Sequence, residues 1–232
     1  MSVAPSTPRR FNLNRAQVVD ENFVAFVRGH ESAASTRAEV RGTVQRNPLD
    51  VLDPASGMTG QDLIEVFESQ AIARHQDIEA RNMRARNEGF YTIGSAGHEG
   101  NAVVGRLTRH NDPAFLHYRS GALMAERARR GGASGVGGGV SEFIEHTMLS
   151  FAASRNDPTA GGRHKVWGSR KLWVPPQTST IASHLAKAVG TAMSMDQAHR
   201  LGLDPGLPKD AIVVCSFADA SRSHAVLQGA LN

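Results

Sequence analysis

Cysteine is almost absent from this sequence. Cys215 stands alone, which excludes an internal disulfide and any need for an oxidising compartment, so a reduced cytoplasm is the expected location. Its neighbours Val213, Val214 and Phe217 are apolar, surroundings that do not favour a reactive thiolate. Lysine is scarce as well: four residues, against 22 arginines and 22 acids, leave a formal net charge of +4. Aromatics make up 6%, and the arginines are scattered rather than gathered into a stripe with stacking partners, so no nucleic-acid interface is expected. No apolar run reaches the ~18 residues that would suggest a membrane span. The opening MSVAPSTPRRFNLNR carries arginines without an apolar segment and is no secretory signal. Its Arg/Ser/Pro character has a faint likeness to an organellar transit peptide, although Asp20 and Glu21 follow closely.

What is present can fold. With 232 residues of which 40% are hydrophobic, the chain can supply the core of one large domain, or of a domain with an extension. Residues 1–58 read as that extension, with a disordered start, a helix over Arg15–Arg28 carrying Val18, Phe23, Phe26 and Val27, and a turn-rich linker RGTVQRNPLDVLDPASGM. The compact part runs over 59–232. It opens on TGQD, a capping box with a hydroxyl at the N-cap and a carboxylate three residues on. The helix behind it is expected to bury Leu63, Phe67, Ala71 and Ile78 as a packing face, to expose Arg74, Glu79, Arg81 and Arg84, and to end near Gly89.

Downstream, GFYTIGSAGHEGNAVVGRL enters a helix through a Gly/Ser turn, leaving free N–H groups of the kind an anion needs. DPAFLHYRSGALMAERARR reads as a short strand, Ala114–Tyr118, running into a helix. GGASGVGGG reads as a mobile loop; no strong strand precedes it and its spacing is wrong for a dinucleotide fingerprint. A helix is expected over 141–154. A long loop then leads to TSTIASHLAKAVGTAMSMDQAHRLG, read as one unbroken helix with Thr178, Ser179 and Thr180 in an acid-free first turn. That start suits an anionic ligand, but on this feature alone ordinary hydroxyl capping is the favoured reading, because Ser/Thr caps are common. A last apolar strand, Ala211–Phe217, leads to Asp219. Helix and strand alternate late in the chain, so the class is α/β.

In an open parallel sheet, ligands bind outside the carboxyl ends of the strands. Asp219 stands there, in a small-residue turn. Hard cations take carboxylate oxygens together with phosphate oxygens, so FADAS is a candidate metal–diphosphate site; the alternative is that Asp219 caps a helix from Arg222 onward.

The segments GFYTIGSAGHEGNAVVG, DPAFLHYRSGALMAERA, GGRHKVWGS, VPPQTSTIASHLAKAVGTA and IVVCSFADASRSHAVLQGALN occur in that order. Together they make residues 59–232 resemble the alpha subunit, or the alpha half of a fused form, of the thiamine-diphosphate-dependent decarboxylating component of 2-oxo acid dehydrogenase complexes. The resemblance is closest to the branched-chain (2-oxoisovalerate) type. It implies a thiamine-diphosphate-binding fold, a parallel sheet flanked by helices, incomplete at its C-terminal end. It implies that Tyr118 and Arg119 reach the cofactor's diphosphate, that Ser179 and Ile181 line the cofactor, and that Asp219 binds Mg2+ with Ala220 and Ser221 beside it. His164 corresponds to a histidine near the reactive carbon. His98 and Glu99 correspond to a motif that shapes the fold near the site, and His184 and His224 are read as structural.

The implied chemistry is oxidative decarboxylation of a 2-oxo acid. The cofactor accepts the electron pair left as carbon dioxide departs, and the acyl group passes to a lipoyl domain of the acyltransferase component. The glutamate that activates the cofactor belongs to a beta subunit or beta domain, so the site completes itself at an interface in a homo- or hetero-oligomer. The sequence departs from the family at two residues and in the extent of one motif. Ala218 stands where glycine is usual, and Arg222 where a small or acidic residue is usual. The metal motif is also cut short at Asn232, ahead of its asparagine pair. Activity of this chain alone is therefore not expected. Two other readings remain: a catalytically inactive remnant serving as a subunit-interaction module, and a phosphate-binding Rossmann-like module unrelated to thiamine.

Overall fold

A helix, α1, occupies Arg15–Arg41 in the computed structural model, which describes residues 14–41, 47–177 and 179–232. The disordered start expected over the first ten residues lies outside the described residues. The chain divides into two units, Met1–Asn47 and Pro48–Asn232. In the first, α1 runs on past Arg28, where the sequence reading ended it, because HESAASTRAEVR holds neither proline nor glycine to stop a helix.

The second unit opens on a small antiparallel hairpin, β1 (Val51–Asp53) with β2 (Met58–Thr59), inside the stretch expected to be a linker. Asp53 closes its turn by accepting from the Ala55 and Ser56 N–H groups, and Gly57 supplies the positive φ of +68°. The capping box is present. Thr59 Oγ1 accepts from the Asp62 N–H at 3.1 Å, and Asp62 accepts from the Thr59 N–H at 2.8 Å. It starts α2, Gly60–Ala85.

The buried face of α2 is not the one its large apolar residues suggest. Leu63 and Phe67 are exposed, at 46% and 53%, while Val66, Ser69, Ala73, Arg74, Asp77, Ala80 and Met83 are buried. The reason lies in its neighbour α4 (Gly121–Ala133), whose first eight residues are all buried. Alanine and serine on α2 meet Ala122 and its neighbours on α4, and small side chains let two helices lie close. Arg74 is buried because Asp77 and Glu99 lie 3.7 and 3.8 Å from its guanidinium.

A 3-10 turn (Glu99–Asn101) and the short α3 (Ala102–Leu107) precede β3, which is Ala114–Phe115 only, shorter than the strand expected to reach Tyr118. The glycine-rich stretch expected to be a mobile loop is in part helix, with a turn between α4 and the next helix. Gly131, Gly132 and Ala133 still belong to α4, and α5 spans Gly139–Phe151. Gly135, Gly137 and Gly139 take positive φ between them. A second antiparallel hairpin joins β4 (Trp167–Ser169) to β5 (Val174–Gln177).

Then α6 begins at Leu185 and ends at Arg200, so the expected unbroken helix loses its first two turns. Ala182, at φ +63°, breaks it. Thr178 lies outside the described residues; Ser179 and Thr180 precede the helix instead of opening it. Finally β6 is Val214–Cys215, a 3-10 turn spans Asp219–Ser223, and α7 is Ala225–Leu231.

The architecture is mixed α/β, with seven α-helices and three two-stranded sheets among the described residues. Among the described residues the strands form three separate pairs and not a single sheet flanked by helices. The one parallel pair among the described residues is β3–β6, with Ala114 opposite Val214 and Phe115 opposite Cys215. β6 has no second strand on its other edge among the described residues, so it is half-buried and Ile212 and Phe217 are exposed. The main core packs Leu116, Leu123, Met124, Phe143, Trp167 and Val174. No helix among the described residues is long and apolar enough to cross a membrane.

Candidate functional site

Two backbone bonds, Val214 N–H to Pro113 O and Ser216 N–H to Phe115 O, both 2.8 Å, lock β3 and β6 in register. Both chains therefore leave the pair at the same, carboxyl end. One continues as His117–Ser120, the other as Ser216–Asp219, and Ser120 Oγ meets Ser216 Oγ at 3.2 Å. An open cleft of about 480 Å3 lies at this end, lined by Gly97, His98, Asn101, Ser216, Ala218 and Asp219 among others.

Asp219 is exposed and opens its 3-10 turn. Among the described residues its carboxylate accepts no hydrogen bond and forms no ion pair. It does not cap the following helix: the N-cap of α7 is His224, whose Nδ1 accepts from the Val226 N–H at 3.1 Å. Ala218 has φ −87° and ψ 166°, ordinary extended backbone, so its methyl group meets no conformational penalty. Ser221 is buried with its Oγ unpartnered, while Ala220 and Arg222 are exposed.

Tyr118 and Arg119 are half-buried. The Arg119 guanidinium lies 5.2 Å from the centre of the Tyr118 ring and donates through Nη1 to Gly94 O at 2.7 Å. Its Nε and Nη2 have no hydrogen-bond partner among the described residues. His117 stacks on His98, with ring centres 4.9 Å apart and planes 6° from parallel. Burial, then the charges of His98, Arg119 and other neighbours, push the His117 pKa down to about 4. Burial and Arg119 also lower that of His98, against the opposing pull of Glu99 and Asp219. At neutral pH both rings are uncharged, and the guanidinium that acts on them is that of Arg119, in the turn after β3.

His164 belongs to a second cluster. Tyr91 Oη lies 2.8 Å from its Nδ1 and Ser179 Oγ 3.2 Å from its Nε2. The side chain of Ile181 is exposed at 48%. The two clusters are joined twice. Lys165, next to His164, donates to Tyr118 O at 3.2 Å. His184, buried, bridges Gln177 at 3.0 Å and Ser216 O at 2.8 Å.

The structure thus gathers Tyr118, Arg119, Asp219 and Ser221 at one strand end, and His164 with Ser179 beside the adjoining hairpin. Three residues that the sequence reading did not single out belong with them: Tyr91, His117 and Lys165. Lys165 carried a signal, being one of only four lysines and set against Trp167 in HKVW. Among the described residues no three His, Cys, Asp or Glu side chains come together to hold a metal. A single free carboxylate beside a cationic turn fits a hard cation that takes its other ligands from phosphate and water. No family model matches the chain, and no curated protein matches it.

Proposed function

We propose that this chain binds Mg2+–thiamine diphosphate and supplies the alpha portion of a 2-oxo acid dehydrogenase of the branched-chain type. One observation carries the reading: the unpartnered carboxylate of Asp219 and the half-free guanidinium of Arg119 leave the same end of a parallel strand pair. That is where open α/β folds bind ligands, and the opposite charges suit a metal and the diphosphate it bridges. The five ordered segments that resemble the family supply the identity of the ligand; the geometry supplies only its chemistry.

In this reading Asp219 holds the Mg2+, and Arg119 donates through Nε and Nη2 to diphosphate oxygens, a charge-assisted contact. Ser221 and the exposed Ala220 leave room for close backbone approach. Bound there, the cofactor supplies the electron sink for decarboxylation. His164, held by Tyr91 and Ser179, would hold a proton for transfer near the reacting carbon. A beta subunit or domain completes the site, and a lipoyl domain of the acyltransferase component receives the acyl group.

Calorimetric titration with thiamine diphosphate and Mg2+ tests the reading against an Asp219→Asn variant. Saturable binding that needs Mg2+ and weakens at least about tenfold in the variant supports it, since one charge-assisted contact is worth ~1.5–3 kcal/mol. Binding that ignores both Mg2+ and the substitution sets it aside.

The second reading, a non-catalytic module for subunit contact, has one observation in its favour. Leu63, Ile64 and Phe67 on α2 and Leu107 on α3 are exposed, at 46%, 49%, 53% and 58%. The same titration separates the two, because such a module has no need of the cofactor.

A further inference from the structure

Lys165 is 4% exposed, yet no carboxylate lies within salt-bridge distance of it among the described residues. Burying an amine is costly unless it gains something specific. Its Nζ sits 3.6 Å from the centre of the Trp167 ring and 5.6 Å from that of Phe151, and its hydrogen bond goes to the Tyr118 carbonyl at 3.2 Å. Trp167 Nε1 donates to the same oxygen at 3.0 Å. On the other side of this peptide unit, the Arg119 N–H donates to His117 Nδ1 at 3.3 Å. The Tyr118–Arg119 peptide plane is therefore fixed at both its oxygen and its nitrogen, and that plane aims the Arg119 side chain.

We propose that Lys165 is a positioning residue for anion binding by the Tyr118–Arg119 turn, acting through the Tyr118 carbonyl and through its own buried charge; this rests on the reading of that turn as a diphosphate site. A methionine would pack against Trp167 and Phe151 as well as a lysine does. What the amine adds is a second donor on the carbonyl and a positive charge whose field reaches Arg119.

The charged groups that face Lys165 are Asp77 from α2, Arg119 and His117 from the turn after β3, and, around the small cavity that Lys165 also lines, Glu142, His146 and Asp157. Burial lowers the Lys165 pKa to about 7, with Asp77 opposing and Arg119 assisting. A diphosphate beside Arg119 favours the charged amine, and by linkage the charged amine favours the diphosphate.

Two measurements on the full chain test this. The first is calorimetric titration with inorganic diphosphate and Mg2+ between pH 5.5 and 8.5, for the wild type and for Lys165→Gln, Lys165→Met and Arg119→Gln. Lys165→Gln keeps a donor without the charge. It is expected to bind about tenfold more weakly than wild type at pH 6 and nearly equally at pH 8.5, a tenfold change corresponding to about one pH unit of linkage. Lys165→Met lacks the donor too and should be weaker than Lys165→Gln throughout. Equal weakening of both variants at every pH marks a merely structural lysine and overturns the proposal, as does wild-type affinity in Lys165→Met at pH 6.

The second measurement needs no variant. Lysine Nζ resonances of the wild type are titrated with and without saturating diphosphate; Lys171, Lys187 and Lys209 are exposed, so the resonance that titrates near neutrality is that of Lys165. Its midpoint is expected to rise by roughly one unit, and an unmoved midpoint overturns the proposal even if a variant misfolds. If the wild type binds diphosphate and Arg119→Gln does not, while the lysine variants bind normally, the proposal fails and the site stands. If the wild type does not bind diphosphate, both fall together.

Discussion

The Arg119 guanidinium and the Gly94 carbonyl are joined by a 2.7 Å hydrogen bond across the candidate site. The next residue, Ser95, donates its N–H to Asp77 at 2.6 Å, so the loop after Phe90 is pinned between α2 and the turn that follows β3. Asp77 is buried. Desolvation raises its pKa, against the Ser95 N–H and the charges of Lys165, Arg74 and Arg81. Arg119, the loop lining the cleft and the buried Asp77 carboxylate thus form one connected unit.

Gly94 is the tight point of that unit. A Cβ added there would sit 2.5 Å from Asp77 Oδ2 and 2.6 Å from its Cγ. Because Asp77 is held by Ser95, it has little freedom to retreat. Gly94→Ala is expected to lower stability by about 1–3 kcal/mol and to weaken diphosphate binding through Arg119. Gly100→Ala, where a Cβ meets nothing within 4 Å, is expected to stay within ~0.5 kcal/mol of wild type. Thermal unfolding of the two variants side by side checks the contrast; equal losses would contradict it.

Lys165 makes stability depend on pH with a definite sign. Its pKa is about 7 in the fold against 10.5 as the ordinary value. Between those values the unfolded chain binds more protons, so stability from this group rises with pH. The cost of the buried charge is fully present below pH 7 and fades as the pH approaches 10.5. Lys165→Met is therefore expected to be more stable than wild type at pH 6, by a few kcal/mol at most once the lost hydrogen bond of ~1 kcal/mol is subtracted. That advantage should be gone by pH 10. Urea unfolding at the two pH values measures it, and a variant less stable at pH 6 than at pH 10, relative to wild type, would reverse the assignment.

The capping box of α2 and the place of Asp219 just past a strand were legible because both rest on local chemistry, whereas Arg119 was singled out only through the family resemblance. A hydroxyl and a carboxylate three residues apart need only each other to cap a helix, and an acid after an apolar run needs only the strand to end. The face of α2 was misjudged because its packing is decided by α4. Leu63 and Phe67 have the right spacing for a buried stripe, but the close approach of α2 and α4 favours Ala73, Ala80 packs with Met83 and Phe151, and Arg74 goes inside because Asp77 and Glu99 are there to meet it. The start of α6 was misjudged for a similar reason. His184 is drawn into a buried bridge between Gln177 and Ser216, and the chain before it turns through Ala182 instead of continuing the helix. The pairing of Tyr91 with His164 spans 73 residues, and no local pattern announces a contact of that range.

Glu126 offers a test of what holds α2, α3 and α4 together. Its side chain is fully buried; it accepts from Ser69 of α2 at 2.7 Å and from Arg106 of α3 at 2.9 Å, and it lies 3.5 Å from Arg129 of its own helix. Arg106 also pairs with Asp62 and Glu65, so the three helices share one ionic knot whose centre is dry. Removing one member of a buried pair leaves uncompensated charge, at a cost of about 3–5 kcal/mol. Glu126→Ala is expected to lose that much and Glu126→Gln less, because the amide can still accept from Ser69. The exposed pair Arg200–Asp196, at 2.8 Å on side chains 73% and 62% exposed, is the control: Asp196→Asn should change stability by less than ~1 kcal/mol. Salt separates the two as well. Raising the ionic strength screens the surface pair and leaves the buried one nearly untouched, so the loss in Glu126→Ala should be the same at 0.05 and 0.5 M salt, on the order of the Debye-length change that abolishes exposed pairs. A loss below about 1 kcal/mol in Glu126→Ala would show that the helices are held by their small-residue packing alone.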